Sequence, residues 1–400
     1  MMRVVTRPLA SVAAPDLDLD AFAGADGVLF VRDGVGLAGR DVAARVTHAE
    51  ARAFLGSLVV DDAVQRPGSG PVLVGCVPFD AGAPHDFILP RRSVVRDADG
   101  TAWATFVADD GAAPDFSPAP APRQGAGSFE VGPGISIGHY LAAVTAVRDA
   151  ARRGEVVKAV VARDLVVRCS EPIDPAALVA RLRTSFGSSH RFLIDGFVGA
   201  SPELLVSVDG RSVASHPLAG TAPRTGDAAT DDALAAALVA STKNQAEHRV
   251  VIDAVHDALL PYCSYLDWEP EPSIVRVANV QHLGTRMEGR LADPPLHVLE
   301  AVHLLSPTPA LGGHPRQPAL DLIARVEGME RGRYGGAVGW FDRHGNGTFA
   351  VAIRCAELSG DRRTARLFAG GGIVAESDPE AELAETQAKF QAMLAAIVRP

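Results

Sequence analysis

Cysteine is scarce in this chain and never clustered: Cys76, Cys169, Cys263 and Cys355 stand far apart, with no C-x-x-C pair. That spacing excludes a disulfide framework or zinc site and reads as reduced, mostly buried thiols of a cytoplasmic protein. Long apolar runs are missing too. Nowhere do about eighteen uncharged apolar residues follow one another, so no membrane-spanning helix is expected. The opening residues also lack the continuous apolar stretch of a secretory signal. Positive charge is short as well. The formal net charge is −10, and no cluster of lysine and arginine reaches the density of a nucleic-acid surface. Several familiar catalytic signatures are absent: there is no G-x-x-x-x-G-K-S/T, no G-x-S-x-G, no H-E-x-x-H, and no G-x-G-x-x-G following a strand.

What is present is a chain of 400 residues, 47% of them hydrophobic, enough for one large domain or two fused halves. Strand patterns bounded by Gly, Asp and Pro occur at 27–31 and 71–77, and a short helix at 48–58 ending at Gly56. Residues 109–134, rich in Ala, Pro, Gly and Asp, read as an extended surface loop, either a long connection inside the fold or a seam between a variable N-terminal region (1–134) of the same fold and the rest (135–400). A helix is expected from 137 to 153 with Gly154 as its stop, then strands at 156–167, 192–198 and 203–208. A helical run at 231–261 breaks near Ser241, and helices follow near 295–305 and 318–327. Strands are expected at 273–277, 336–341, 348–358 and 363–368, with the turn 342–347 a strong hairpin signal. Hairpin-joined strands with interspersed helices argue an α+β fold with largely antiparallel sheets.

Several residues stand out chemically. Lys158 lies inside an apolar β-branched run, where it either turns outward or sits desolvated, which favours the neutral amine. Glu203 follows a Ser-Pro turn and opens an apolar run; it is a turn residue or a carboxyl kept protonated by apolar surroundings. Gly220 and Thr221 follow a strand and suit either backbone contact with a carboxylate or an ordinary turn. Glu247 starts an amphipathic helix as a solvated end or a metal ligand, and His282 is a lone histidine at a strand end. Arg354, inside an expected strand, needs an anion if buried, and a carboxylate is its natural bidentate partner. Three glycines, Gly370 to Gly372, allow close approach of backbone to a ligand. Asp378 and Pro379 then begin a helix whose Glu382 and Glu385 share a face, either as a solvated acidic turn or as a cation site.

Together these pieces resemble the chorismate-utilising enzymes: the isochorismate, salicylate, anthranilate and aminodeoxychorismate synthases. The similarity runs from about 140 to 395 in nine motifs kept in the family's order. They read GEVVKAVVAR (154–163), FVGASPELLV (197–206), PLAGTAPR (217–224), KNQAEH (243–248), VQHLGT (280–285), SPTPALGGHP (306–315), RGRYGGAVGW (331–340), VAIRCAEL (351–358) and AGGGIVAESDPEAELAET (369–386). The resemblance implies large antiparallel sheets packed as a sandwich with surrounding helices. It also implies a monomeric cytoplasmic enzyme using Mg²⁺ on the dicarboxylate chorismate. In that family's pattern Glu247 and Glu385 would be the direct magnesium ligands, with Glu382 supporting through water. Gly220, Thr221, Tyr334, Arg354, Gly371 and Gly372 would contact substrate carboxylates, and His282 would line the pocket. Lys158 would activate water and Glu203 would protonate the departing hydroxyl.

Three positions separate the family's branches. Lys158 resembles the isochorismate and salicylate synthases, and Ala219 stands where aminodeoxychorismate synthases carry a lysine. Ala310 resembles isochorismate synthases, whereas synthases that eliminate pyruvate usually carry threonine there. The implied activity is isochorismate synthase, serving menaquinone or siderophore synthesis, with salicylate synthase or a non-catalytic chorismate-binding protein as alternatives. Asn244 departs from the acidic residue frequent at its position.

Overall fold

A computed structural model describes every residue except 1, 109–113, 124, 126, 278, 399 and 400. The Ala/Pro-rich connection expected at 109–134 therefore lies partly outside the described residues. Among the described residues, twenty strands form one hydrogen-bonded sheet and three more a small second sheet. Every pairing is antiparallel but one, in which Arg3–Pro8 runs parallel to Val59–Asp62. The α+β class and the antiparallel sheets are as the sequence implied.

The centre of the large sheet is buried on both faces, and side-chain alternation shows how. In the strand Val28–Arg32, Val28 and Phe30 enter one apolar cluster while Leu29 and Val31 enter another. The strand His190–Ile194 splits the same way, with Phe192 and Ile194 on one side and Leu193 on the other. Period-two alternation with both sides apolar is what a covered sheet requires. Helices supply the cover; Pro379–Val398, for example, sends Phe390, Met393 and Ile397 into the second cluster. Strands on both sides of residue 134 share the sheet: Val28–Arg32 pairs with His190–Ile194, and Val72–Val77 with Ala337–Asp342. No helix among the described residues is long and apolar enough to cross a membrane.

Three expectations need correction. The strand expected at 192–198 is a hairpin: His190–Ile194 turns at Asp195-Gly196 into Phe197–Ser201, Ile194 facing Phe197. Both turn residues have positive φ, 48° and 71°, the two-residue geometry that Asp-Gly favours. The strand expected at 348–358 is two, Gly347–Val351 and Cys355–Leu358, broken at Arg354, whose φ is 52°. The strand expected at 363–368 does not stop before the glycines 370–372. They belong to Thr364–Ile373, which pairs with Lys158–Cys169 along its whole length.

Three histidines join the N-terminal region to the helix Val298–Leu305. His48 and His303 face each other, Nε2 to Nε2, at 3.0 Å, with the His85 ring 4.9 Å from that of His48. One of the facing nitrogens must donate and the other accept, so the pair accommodates one proton there. Burial holds both His48 and His303 below their ordinary 6.5. A histidine with a lowered folded value binds its proton more readily in the unfolded chain, so its contribution is full above pH 6.5 and is lost as pH falls. The melting temperature is therefore expected to drop between pH 7.5 and 5.5, more shallowly in His303→Asn, as scanning calorimetry at several pH values will read.

Candidate active site

The site begins with a bare stretch of backbone. In the long ladder Gly372 pairs with Val160 and Gly370 with Ala162, beside Lys158 at the start of its strand. A Cβ built on Gly372 lies 2.2 Å from Lys158 Cε and 2.7 Å from Nζ, so the lysine occupies the room a side chain would take. Lys158 is 5% exposed, desolvated rather than turned outward, and its Nζ donates to Glu247 Oε1 at 2.5 Å.

Glu203 lies between the strands Phe197–Ser201 and Leu204–Asp209, fully buried. The one hydrogen bond its carboxyl makes among the described residues is long, from Leu218 N to Oε1 at 3.4 Å. Burial pushes its carboxyl up to about 8, outweighing the Leu218 amide and the more distant Arg354 and Lys158, which pull it down. At neutral pH it holds its proton.

The small sheet forms another wall. Leu218–Pro223 pairs with Val280–Gly284 through a register shift at Gly220, whose φ of 72° suits glycine. His282 sits within that strand rather than at its end. Its Nδ1 is 3.1 Å from both Gly220 O and Thr221 Oγ1, and its Nε2 is 3.2 Å from Arg354 Nη2. A guanidinium only donates, so Nε2 accepts and Nδ1 carries the proton that Gly220 O takes. Burial and the adjacent Arg354 push His282 down to about 3, so the ring is neutral. Arg354, buried at the break between its two strands, makes no ion pair within 4 Å among the described residues. Tyr334 stacks on Phe368 at 5.1 Å between ring centres, and burial raises its phenol above the usual range.

Two helices bring the remaining carboxylates. Ser241 caps Thr242–Leu259 by accepting from Asn244 N, which places Glu247 toward Lys158. Asp378 caps Pro379–Val398 by accepting from Ala381 N, as its sequence indicated. On that helix Glu382 accepts from Ser377 Oγ at 2.8 Å, and its carboxyl is raised by burial. Glu385 pairs with Lys389 at 2.6 Å and is lowered by it, while Lys389 also donates to Gly370 O at 2.7 Å.

These groups line one cavity of about 290 Å³. It gathers Lys158, Glu203, Gly220, Thr221, Glu247, His282, Ala310, Tyr334, Arg354, Gly372, Glu382 and Glu385, all but one of the candidates. The exception is Gly371. Strand alternation turns Gly370 and Gly372 to the cavity and Gly371 away, and a Cβ there would meet Glu382 Oε2 at 2.7 Å. Lys243 and Lys389 also face the cavity and escaped the sequence reading. The signal for both was helical spacing: Lys243 is four residues before Glu247 and Lys389 four after Glu385. Four basic side chains thus meet four carboxyls, one of them protonated.

The family described as chorismate binding enzyme matches residues 120–398. A Mycobacterium tuberculosis protein provisionally named isochorismate synthase MenF is 40% identical over 84% of this chain and 88% of its own. Isochorismate synthase DhbC of Bacillus subtilis is 36% identical over 84% and 83%. Among solved structures, MenF, the menaquinone-specific isochorismate synthase of Escherichia coli, superposes with a TM-score of 0.82 at 25% identity. That superposition covers 99% of this chain and 95% of the other. The chain belongs to the chorismate-binding enzyme family. Within that family, these three relatives are named as isochorismate synthases.

The raised Glu203 carboxyl is directly observable. A protonated carboxyl stretch in the difference infrared spectrum is expected below pH 8, lost as pH rises through about 8 and absent from Glu203→Gln.

Proposed function

We propose that this chain is an isochorismate synthase, a cytoplasmic and monomeric enzyme acting on chorismate. The observation that carries this reading is a desolvated lysine amine and a protonated carboxyl in one cavity with a buried guanidinium. Acid and base are the groups required when one hydroxyl arrives and another departs. Ala310 lines the same cavity, with a methyl where synthases that also eliminate pyruvate usually carry a hydroxyl.

In this mechanism Arg354 takes a substrate carboxylate, the bidentate partner its buried guanidinium otherwise lacks. His282, fixed as the Nδ1–H tautomer, keeps Nε2 on Arg354 and so holds the guanidinium's orientation. Lys158, released from Glu247 and as the neutral amine, accepts a proton from a water whose oxygen bonds to C2 of the ring. The ring double bonds shift, the C4–oxygen bond breaks, and Glu203 protonates the departing hydroxyl. One water enters and one leaves, so the net change is an isomerisation. Burial of Glu203 keeps that proton in place at neutral pH.

We further propose Mg²⁺ as cofactor. The support is donor chemistry: Glu247, Glu382 and Glu385 face one cavity and offer only carboxylate oxygen, which a hard divalent cation prefers. Among the described residues no three such donors are already gathered for an ion, since Glu247 is drawn to Lys158 and Glu385 to Lys389. Glu247 and Glu385 would release their lysines to bind it, with Glu382 supporting. When bound, the ion supplies charge neutralisation and orientation for a substrate carboxylate.

Incubation with chorismate and Mg²⁺ is expected to yield isochorismate; abundant salicylate without a partner enzyme would instead establish the salicylate synthase reading. Lys158→Ala and Glu203→Gln are expected to lower kcat by about 10²–10⁴-fold with the fold intact. Turnover in the parent protein is expected to fall as pH rises through about 8, where Glu203 loses its proton. Gly372→Ala, which displaces the lysine, is expected to cost about 10²-fold. Mg²⁺ without substrate is expected to raise the melting temperature, and Glu247→Ala to abolish that shift; an unchanged shift in the variant removes Glu247 from the cation site.

A further inference from the structure

Behind the cavity wall, outside the lining, lies a buried ion pair that the mechanism does not use. Arg331 and Glu327 are 4% and 2% exposed and meet in a two-pronged contact, Nε to Oε1 at 2.7 Å and Nη2 to Oε2 at 2.6 Å. The guanidinium reaches further: Nη2 donates to Val160 O at 2.7 Å and Nη1 to Leu311 O at 2.8 Å. Glu327 Oε2 also accepts from Ala162 N at 2.8 Å. The guanidinium lies over Phe79 at 4.1 Å, and Arg331 O accepts from Tyr334 N at the turn that presents Tyr334.

Every one of those backbone contacts leads to a wall segment. Val160 and Ala162 belong to the strand that begins with Lys158, Leu311 follows Ala310, and Tyr334 ends the turn begun by Arg331. Stability alone does not account for the pair, because removing two charges from water costs about what their attraction returns, and apolar replacement is often neutral or stabilising. A planar fork held by a planar carboxylate fixes direction as well as distance, which geometry at a reacting centre demands.

We propose that Arg331, held by Glu327, is a positioning residue that sets the spacing between Lys158, the Ala310–Leu311 segment and Tyr334. The role in turnover rests on the isochorismate synthase reading. The test is the paired variant Arg331→Met/Glu327→Leu together with Arg331→Lys and Glu327→Gln, each checked by melting temperature, kcat and KM. The paired variant is expected to melt near the parent temperature with KM little changed. Its kcat is expected to fall by about 10²-fold, the scale of a displacement of about 1 Å at a reacting centre. Arg331→Lys, which keeps the charge but not the fork, is expected to restore little. The acylation rate of Lys158 by acetic anhydride, read by mass spectrometry, reports its surroundings without turnover, and is expected to change several-fold in the paired variant. Parent protein inactive on chorismate defeats the isochorismate reading, and the acylation arm then still decides the positioning role. Parent values of kcat and Lys158 acylation in a folded paired variant overturn the proposal. Failure of all three variants to fold also overturns it, assigning the pair to stability.

Discussion

Lys158 enters the cavity through space that any side chain at position 372 would fill. That steric condition ties the chemistry to the ladder. The strand Thr364–Ile373 has to carry glycine where it passes Lys158, and it has to be a strand there for the bare positions to face the right way. Three bare positions in a row then serve three purposes. Gly370 gives a carbonyl to Lys389 and room to Tyr334, Gly371 gives room to Glu382, and Gly372 gives room to the lysine. Glycine weakens a strand interior, and pairing along the whole length with an apolar, β-branched partner offsets that weakness.

Burial then decides protonation. Glu203 has an apolar setting and one long hydrogen bond, so it keeps its proton. Glu385, also enclosed, has Lys389 beside it and is pulled the other way. Two carboxyls in one cavity are thereby separated into an acid and an anion, with no difference in chemistry beyond their neighbours. His282 completes the pattern, as an imidazole kept neutral by burial first and by the neighbouring Arg354 guanidinium second.

Much of this was legible in the sequence. The break read at Ser241 and the cap residue Asp378 located the two helices that deliver glutamates, and the apolar run around Lys158 located its strand. Motif order brought all but one of the candidate residues into a single cavity. What escaped was conformational. Asp195-Gly196 was a hairpin signal hidden inside an apolar run, and the left-handed φ of Arg354 has no marker in an arginine. A run of glycines reads as loop because propensity describes the isolated segment, whereas the ladder partner supplies the order here. Lys243 and Lys389 were visible as helical neighbours of Glu247 and Glu385, but that both face the cavity depends on where those helices dock.

The ladder between Lys158–Cys169 and Thr364–Ile373 also has a consequence for how this chain can change in length. Successive side chains on a strand point to opposite faces, so a slip by one residue would turn Lys158 out of the cavity and bring Ala159 in. Insertions and deletions are therefore forbidden in these two strands as strictly as a change of residue type. No such constraint acts on exposed turns. The long ladder is thus the fixed ruler of the chain, and variation in length belongs to the connections outside it.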